Sequence, residues 1–310
     1  MSNLLVYNPN AGGGRAGALV PRLQSLYEEA GEVVEIAPTE RPGHAVELVG
    51  AALERDTPPT DIVALGGDGT LNECLWGADR VGALESSAAP RFTVLPAGTV
   101  NVLARELGLP LEPVAALRQV LPGATRLLDW YRATSSAGSR PGALGCGVGL
   151  EAVAAEEVSP RLKRWLGAPA YALSALKVLW RPQPMLSLRW VDQDGESGER
   201  EAPAACFANT TRYAGNFRLR RDAAIDDGLV ELAAFARVSI PTLVSAGWHA
   251  AFSELARAGG VEVEAVRELE VSSEVPVSLH VDAELHGTTP LRVEVHRQGL
   301  SMRVGAPTHG

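Results

Sequence analysis

The chain has 310 residues and carries 28 basic and 37 acidic side chains, which gives a net charge of −9. This length predicts two domains, and the acidic balance excludes strong non-specific binding to nucleic acid. Only two basic residues are lysines, Lys163 and Lys177, so the first half lacks both the P-loop lysine and the strand lysine of protein kinases. The chain shows no C-x-x-C pair, no zinc-binding histidine spacing, no secretory leader and no apolar run of roughly 18 residues. We therefore expect a cytoplasmic protein without a disulfide framework.

The first third alternates short apolar runs with helical periodicity. The expected strands are Leu4–Tyr7, Val33–Ile36, Ile62–Leu65 and Phe92–Leu95. The expected helices are Ala18–Ala30, Ala45–Glu54, one that begins at Leu71, and Val100–Leu107. This order predicts a parallel sheet in an α/β domain. Its glycine-rich loops would follow the carboxyl ends of the strands, where such sheets bind ligands.

After Trp130 the sequence becomes mainly strand-like. The expected strands are Leu186–Val191, Ala204–Ala208, Val230–Phe235, Val261–Val266, Leu269–Val271, Val277–Val281 and Leu291–Val295. Asp192 to Gly195 is a turn signal, and helical stretches at Arg161–Trp180 and Thr242–Ala258 interrupt the strands. This half predicts a β-sandwich. We place the domains at residues 1–130 and 131–310.

The strongest motif is the run from Leu65 to Glu73, in which a strand leads through Gly66-Gly67-Asp68-Gly69-Thr70 into a helix. Glycine lets the backbone approach a ligand, and amides at a helix start can hold phosphate oxygens without a lysine. An aspartate in such a loop repels phosphate unless a cation accompanies it, so Asp68 favours a metal–nucleotide site. The alternative is a tight turn with a solvated aspartate.

Two further loops follow strands of the same domain. Pro96 to Asn101 places Thr99 where it can cap the next helix or contact a ligand. Asn8 to Gly17 contains a formal G-x-G-x-x-G at Gly12, Gly14 and Gly17. A dinucleotide fingerprint begins directly after its strand, whereas four residues intervene here, so a longer phosphate-facing loop fits better. A flexible surface loop remains the alternative.

Two acidic motifs lie in the second half. Asp226-Asp227-Gly228 is typical of a hairpin turn, and adjacent carboxylates can also bind a hard cation. Asp282-Ala283-Glu284 is expected to put both carboxylates on one face of a strand. Such a pair tends to raise the pKa of one carboxyl group, which suits a general base, whereas on an exposed strand it serves only solubility.

These pieces together resemble the diacylglycerol kinase catalytic family, which includes bacterial soluble lipid kinases, sphingosine kinases and ceramide kinases. The motifs occur in the family's order as Asn8-Pro9 with its glycines, Gly66 to Thr70, Pro96 to Asn101, Arg221 to Leu229, and Asp282 to Glu284. The resemblance spans nearly the whole chain. It implies an N-terminal α/β nucleotide-binding domain similar to that of NAD kinases and phosphofructokinases. It also implies a C-terminal β-sandwich whose last strands return to the first domain.

The resemblance also implies roles for individual residues. The ATP site would comprise Asn8, Thr39, Gly66, Gly67, Asp68, Gly69, Thr70, Leu71, Asn72 and Thr99. Asp227, with the carbonyls of Leu229 and Ala224, would bind Mg²⁺. Glu284 would accept the proton, with Asp282 beside it, and Asp68 would complete the catalytic set. Asp129 and Asp222 resemble acidic residues of the family's ion network.

Two positions depart from the family pattern: Val102 stands where aspartate is usual, and Ala283 replaces a glycine. The leading hypothesis is an ATP- and Mg²⁺-dependent kinase that phosphorylates a lipid hydroxyl, foremost diacylglycerol to give phosphatidic acid for phospholipid synthesis. The alternatives are a sphingoid-base or other lipid kinase, an inactive nucleotide-binding regulatory protein, and, weakest, an NAD(P)-dependent oxidoreductase.

The partners follow from the leading hypothesis: a lipid substrate, no nucleic acid, and transient peripheral contact with the inner membrane surface. A basic-aromatic stretch at residues 161–181 would either lie on that membrane or simply cover the sandwich. A second basic cluster, Arg212, Arg218, Arg220 and Arg221, would face phosphates or a lipid headgroup. The oligomeric state stays open.

Overall fold

The computed structural model describes residues 2–149, 184–213 and 218–305. The chain divides into two compact units, one formed by Met1–Trp130 with Arg297–Gly310 and the other by Tyr131–His296. The expected helix Arg161–Trp180 and its basic-aromatic stretch lie outside the described residues. None of the described helices has both the length and the apolar composition needed to cross a membrane.

The first unit is built on a parallel sheet. Its strands are β1 (Ser2–Tyr7), β2 (Val33–Pro38), β3 (Asp61–Gly66) and β4 (Arg91–Pro96). They lie in the order β4-β3-β1-β2, and every neighbouring pair is parallel. All six residues of β3 are buried, as expected for a central strand of a parallel sheet. The expected α/β architecture is confirmed.

Five helices accompany these strands. They are α1 (Arg15–Glu29), α2 (His44–Leu53), α3 (Asp68–Arg80), α4 (Val102–Glu106) and α5 (Pro113–Val120). Helix α3 begins three residues before the expected start at Leu71. Helix α4 begins after the expected Val100, because Asn101 adopts a left-handed conformation with φ of 54°. Helix α5 was not expected from the sequence.

The second unit is an antiparallel β structure. Its strands are β5 (Ala124–Ser135), β6 (Gly138–Gly142), β7 (Gly145–Val148), β8 (Leu186–Asp192), β9 (Ser197–Ala202), β10 (Ala204–Ala208), β11 (Val230–Phe235), β12 (Val261–Ser273), β13 (Ser278–Val281), β14 (Glu284–Thr288) and β15 (Leu291–Val304). The order β14-β13-β7-β10-β11-β12-β15 runs along its sheet, β8 pairs with β12 and β9, and β5 pairs with β6. The one described helix of this unit, α6 (Ile240–Phe252), follows β11.

Several expected boundaries in this unit are corrected. Strand β12 is continuous where two strands were expected, with a bulge between Val266 and Glu268 in its pairing with β8. The expected helix Thr242–Ala258 ends at Phe252, and a separate 3-10 turn follows at Leu255–Arg257. Strands β5, β6, β7, β9 and β14 were not expected from the sequence; in the last four, glycine or charged residues interrupt the apolar alternation that marks a strand.

The expectation that the carboxylates of Asp282 and Glu284 share one face of a strand is wrong. Val281 pairs with Glu284 across the hairpin of β13 and β14, which leaves Asp282 and Ala283 as its two-residue turn. Both turn residues have positive φ, 49° and 67°. Two such residues in succession match the right-handed twist of the flanking strands. The two carboxylates therefore belong to different parts of a hairpin and have different surroundings.

The end of β15 belongs to the first unit. Strand β15 pairs in parallel with β4, with Met302 opposite Phe92. The guanidinium of Arg303 forms an ion pair with Glu32 at 2.6 Å. Hydrogen bonds from Arg303 lower the pKa of that glutamate. A side chain at Gly123 would collide with the carbonyl of Val304. These contacts hold the terminal strand against the parallel sheet.

Candidate functional site

The sequence-predicted nucleotide residues gather at one edge of the parallel sheet. Asn8 follows β1, Thr39 follows β2, Gly66 ends β3 and Thr99 lies three residues after β4. The amide of Thr39 donates to the carbonyl of Tyr7 at 2.8 Å, so the chain stays in register beyond the strand ends. Because parallel strands end on the same side, four loops form one border where ligands bind in open α/β sheets.

The loops after β3 and β4 are joined backbone to backbone. The amides of Ala97 and Gly98 both donate to the carbonyl of Gly66, at 2.7 and 3.2 Å. A Cβ at Gly98 would lie 2.5 Å from the Cα of Gly67, so only glycine fits there. The side chain of Asn101 closes the second loop by bonding both the amide and the carbonyl of Gly98.

The N-termini of four helices face this border with two different kinds of cap. Glu73 on α3 accepts from the amides of Gly43 and Ala45 at the start of α2. Helices α1, α2 and α3 all have glycine N-caps, Gly14, Gly43 and Gly67, which themselves offer no side-chain acceptor to the first-turn amides; α2 takes its acceptor from Glu73 instead. A helix N-terminus with this character is a suitable place for a phosphate.

Asp68 caps the start of α4. Its carboxylate accepts from the amide of Val102 at 3.0 Å and from that of Leu103 at 3.3 Å. It therefore bridges the first glycine loop and the helix that follows the second. The alternative of a tight turn with a solvated aspartate is therefore wrong. The capping role adds a contribution to stability that the sequence did not reveal.

Burial divides the remaining predicted nucleotide residues. Gly67, Gly69 and Thr70 are half-buried, whereas Leu71 and Asn72 are only 2% and 1% exposed. Those two lie under the loop and support it from the interior. Thr99 is exposed and does not cap α4, whose N-cap is Asn101.

The loop after β1 leaves its backbone open. Gly12, Gly13 and Gly14 all have positive φ, and nothing lies within 4 Å of the place where a Cβ would be at Gly13 or Gly14. Arg15, the first residue of α1, donates its Nε to the carbonyl of Gly12 at 2.9 Å. The amide of Gly14 already donates to the carbonyls of Asn10 and Ala11, so what the loop offers a polyphosphate is the open space beside Gly13 and Gly14, a helix start and the positive charge of Arg15.

In the second unit, Asp282 is held by the backbone around it. Its carboxylate accepts from the Tyr131 hydroxyl at 2.6 Å and from the amides of Ala143, Leu144 and Gly145 at 2.9, 3.0 and 3.0 Å. Asp282 is 5% exposed. Burial, with the Asp282 charge beside it, raises the pKa of the Tyr131 hydroxyl well above its usual value, so that hydroxyl stays a donor. Asp282 fixes the hairpin tip.

Glu284 has a different environment, although it is only two residues away. Its Oε2 accepts from Nη2 of Arg140 at 2.5 Å, and the Glu284 side chain is 41% exposed while that of Arg140 is 4% exposed. A nearly buried arginine is a fixed point, so it orients the carboxylate without removing it from solvent. Glu284 is therefore accessible to a reacting group, which Asp282 is not.

The third predicted element is the acidic turn before β11. Oδ1 of Asp227 accepts from the amide of Leu229 at 3.0 Å, across Gly228 with φ of 87°. Burial raises the pKa of Asp227, and burial also raises the pKa of Glu231 to about 7. No group of three or more His, Cys, Asp or Glu among the described residues has a metal-holding arrangement. A cation here would use Asp227 with carbonyl or water oxygens, which are donors that Mg²⁺ accepts.

Comparisons with known proteins agree with this geometry. The family model of the diacylglycerol kinase catalytic domain matches residues 2–133, and that of the YegS C-terminal NAD kinase beta sandwich-like domain matches residues 145–304. A diacylglycerol kinase of Staphylococcus haemolyticus is 30% identical over 92% of this chain and 83% of its own length. The chain belongs to the diacylglycerol kinase family of lipid kinases.

Solved structures support the fold of this lipid kinase. A diacylglycerol kinase of Bacillus anthracis has a TM-score of 0.73 at 17% identity and covers 98% of this chain and 97% of that one. A yeast NADH kinase has a TM-score of 0.51 at 12% identity and covers 100% of this chain and 84% of that one. The expected pairing of an NAD kinase-like α/β domain with a β-sandwich is confirmed.

Sequence reasoning missed four residues that shape the kinase's candidate sites. Glu73 and Asn101 organise the nucleotide border, and Tyr131 and Arg140 hold the acidic hairpin. Asn101 was visible within the second glycine motif, and asparagine tolerates the left-handed conformation it adopts. Tyr131 and Arg140 lie more than 140 residues before the hairpin, and no local pattern links them to it.

The two acidic residues assigned to an ion network have different surroundings. Asp129 is fully buried and accepts from the amide of Gln298 at 2.5 Å. Asp222 is held by two hydrogen bonds from Arg220, which lower its pKa to about 2. Arg220 also lies 3.5 Å from Glu231. One arginine of the second basic cluster thus pairs with the kinase's own carboxylates.

Proposed function

We propose that this lipid kinase transfers the γ-phosphoryl group of ATP, with Mg²⁺, to the primary hydroxyl of diacylglycerol and so forms phosphatidic acid. The observation that carries the proposal is the pair of helix N-termini with glycine N-caps, Gly14 and Gly67, at the border where four loops meet. Helix dipoles and free amides at such ends favour phosphate groups. The relatives named diacylglycerol kinase support the choice of acceptor.

The nucleotide would bind along this border. Amides at the start of α3 and in the loop Gly12 to Gly14 would hold the phosphates, with Arg15 adding a positive charge nearby. Asn8, Thr39 and Thr99 would line the same border, and the buried Leu71 and Asn72 would support it. Asp68 would keep the two glycine loops in register through its bonds to α4.

The acidic turn before β11 offers oxygen atoms, the type of ligand that Mg²⁺ prefers. Asp227, with the carbonyls of Ala224 and Leu229, would supply oxygen ligands, and burial raises the pKa of Asp227 although backbone hydrogen bonds partly offset that effect. Mg²⁺, when bound, neutralises charge that develops on the phosphates during transfer. The protein's contribution is to hold the oxygens in place through the turn at Gly228.

Glu284 is the residue we assign as the general base. A base must reach a hydroxyl proton, and Glu284 keeps an accessible carboxylate while Arg140 fixes its direction. Asp282 accepts four hydrogen bonds already, so we assign it as a positioning residue that holds the hairpin. As the lipid oxygen bonds to the γ-phosphorus and the bond from that phosphorus to the leaving ADP oxygen breaks, the proton of the lipid hydroxyl would pass to Glu284.

The departures at Ala283 and Val102 do not favour an inactive protein. Ala283 accepts the positive φ that glycine would adopt, and the turn still forms. The amide of Val102 is capped by Asp68, so α4 keeps its N-terminal partner. A sphingoid-base or other lipid kinase remains the second candidate, since the loops would hold the nucleotide in the same way for either acceptor.

The place of action follows from the acceptor. Diacylglycerol resides in bilayers, so we propose a cytoplasmic enzyme that contacts the inner membrane surface transiently and delivers phosphatidic acid to phospholipid synthesis. The test is a labelled-ATP transfer assay with diacylglycerol, sphingosine and ceramide in mixed micelles, with and without Mg²⁺. Preferred labelling of diacylglycerol that requires Mg²⁺ supports the proposal. Labelling of a sphingoid base alone would transfer it to the second candidate, and ATP binding without any transfer would indicate a regulatory protein.

A further inference from the structure

Helix α6 shows its large apolar side chains to solvent. Ile240, Val244, Trp248 and Phe252 are 54%, 66%, 64% and 72% exposed, and they recur every four residues, which places them along one face. The rings of Trp248 and Phe252 are in contact, with centroids 4.5 Å apart.

The opposite face of the same helix carries small residues. Thr242, Ala246 and Ala250 are buried, and the two alanines belong to the cluster beneath the helix that includes Cys206 and Ala233. An ordinary surface helix puts its large apolar residues inward and charged residues outward. Helix α6 has the reverse order and contains no Asp, Glu, Lys or Arg along its 13 residues. A contiguous exposed apolar face of this kind marks an interaction surface.

Positive charge lies at both ends of this face. Arg237 is exposed and stands two residues before the helix N-cap, Ser239. Arg218 is exposed and donates its backbone amide to the carbonyl of Ala250 at 3.1 Å, so it lies beside the last turn. A chain of net charge −9 is repelled by an anionic surface, and arginines beside an apolar stripe offset that repulsion locally.

We propose that this face of α6 docks the enzyme on an anionic lipid bilayer, with Trp248 and Phe252 entering the headgroup–acyl boundary. The inference rests on the proposed function only in taking the acceptor to be a bilayer lipid. Tryptophan and phenylalanine are typical of the apolar face of helices that lie in a membrane interface, and the basic residues that accompany such faces stand here beside the two ends of α6, at Arg237 and Arg218. A second copy of the chain fits less well, because a stable dimer buries about 800 Å² on each partner, more than four side chains of one helix supply.

The decisive experiment measures binding of the full chain to vesicles in the absence of ATP. The probes are vesicles of phosphatidylcholine with phosphatidylglycerol and vesicles of phosphatidylcholine alone. The test variant is Trp248→Gln/Phe252→Gln, and the matched control is Val33→Gln/Leu111→Gln, which removes two exposed apolar side chains from the other unit. We expect the test variant to bind the mixed vesicles about tenfold more weakly per aromatic removed, and the control to bind as the wild type does.

Two further measurements sharpen the test. Arg237→Gln should weaken binding to the mixed vesicles about fivefold, with little effect on the neutral ones, since a basic residue near an anionic surface contributes about 1 kcal/mol. With a short-chain diacylglycerol dissolved as monomers, the aromatic variant should keep the wild-type kcat, whereas its rate on bilayer substrate should fall. Because vesicle binding requires no chemistry, it stays informative if the proposed reaction fails.

Three results would overturn the inference. The first is wild-type binding by the aromatic variant, and the second is no binding of the wild type to either vesicle. The third is a wild type that light scattering shows to be a dimer and an aromatic variant that is a monomer with unchanged vesicle affinity. That last result would assign the face to a second copy of the chain.

Discussion

The assignment of roles within the acidic hairpin makes a prediction that separates stability from turnover. In Asp282→Asn, one oxygen can still accept from Tyr131, Leu144 and Gly145, but an amide NH2 now faces the amide of Ala143, which donates to Oδ2 at 2.9 Å in the wild type. A hydrogen bond to a charged group contributes about 1.5–3 kcal/mol, and a buried donor left without an acceptor costs about as much. We expect the free energy of unfolding to fall by about 2–4 kcal/mol.

Glu284→Gln should behave in the opposite way. The Glu284 side chain is 41% exposed and glutamine can still accept from Arg140, so the free energy of unfolding should change by less than about 1 kcal/mol. Glutamine cannot take a proton, and a general base contributes about 10²–10⁴-fold, so turnover should fall by that factor. Affinity for ATP should barely change, because the lost role belongs to the chemical step.

The assay combines urea unfolding followed by circular dichroism with transfer rates in mixed micelles. The matched control is Glu270→Gln, another exposed glutamate beside an arginine of the same unit, Arg292 at 4.0 Å. That control should leave both quantities unchanged. Two results would refute the division of roles and move the base to Asp282. One is near-normal turnover in Glu284→Gln, and the other is a large loss of turnover in Asp282→Asn with little change in its free energy of unfolding.

Four further outcomes are expected. Asp68→Ala should lower the free energy of unfolding by about 1–2 kcal/mol through the lost cap, whereas Asp68→Asn keeps one acceptor and should stay folded. Because Asp68→Asn removes the charge that would accompany a metal–nucleotide complex, transfer should be abolished in this folded variant, as unfolding and transfer assays will show. Ala283→Gly should raise the free energy of unfolding by up to about 1 kcal/mol and leave turnover unchanged, because the positive φ costs alanine more than glycine. Asp227→Ala should reduce transfer more at low than at high Mg²⁺, and an equal loss at all concentrations would indicate a purely structural turn. Burial raises the folded pKa of Glu231 to about 7, above its ordinary value of 4.5. The protonated side chain therefore adds about 3 kcal/mol to the free energy of unfolding below pH 4.5, and this contribution is lost as the pH rises to 7. Glu231→Gln should reduce this dependence of the free energy of unfolding on pH when unfolding is measured in EDTA.

The sequence by itself was sufficient for the framework of the first unit. Apolar runs separated by helical periods located all four parallel strands to within two residues. Strands β1, β3 and β4 are buried along most of their length and read as continuous apolar segments, whereas β2 is mostly exposed and was located by its β-branched residues. The glycine motifs after β3 and β4 were also readable from the sequence. Glycine is needed there because the backbones of Gly67 and Gly98 approach each other closely, and each loop shows this need in its own sequence as a glycine just after a strand.

A few features had a sequence signal that was not used. Helix α5 starts with Glu112, whose carboxylate accepts from the amides of Val114 and Ala115, followed by Pro113 in the first turn. An acidic cap followed by proline is a recognised helix start. Strands such as β7, with the sequence Gly145-Cys146-Gly147-Val148, carry no comparable signal, since their pairing with two neighbours rather than their composition makes them strands.

The chemistry of the individual carboxylates was decided only by the tertiary structure. Asp68, Asp282 and Glu284 look alike in the sequence, yet one caps a helix 34 residues away, one is buried under four donors, and one is exposed beside a fixed arginine. A carboxylate acquires its role from the groups that surround it, and most of those groups come from distant parts of the chain. The motifs therefore predicted the candidate residues, whereas the tertiary contacts, such as those of the hairpin with Tyr131 and Arg140, determine the surroundings of each one.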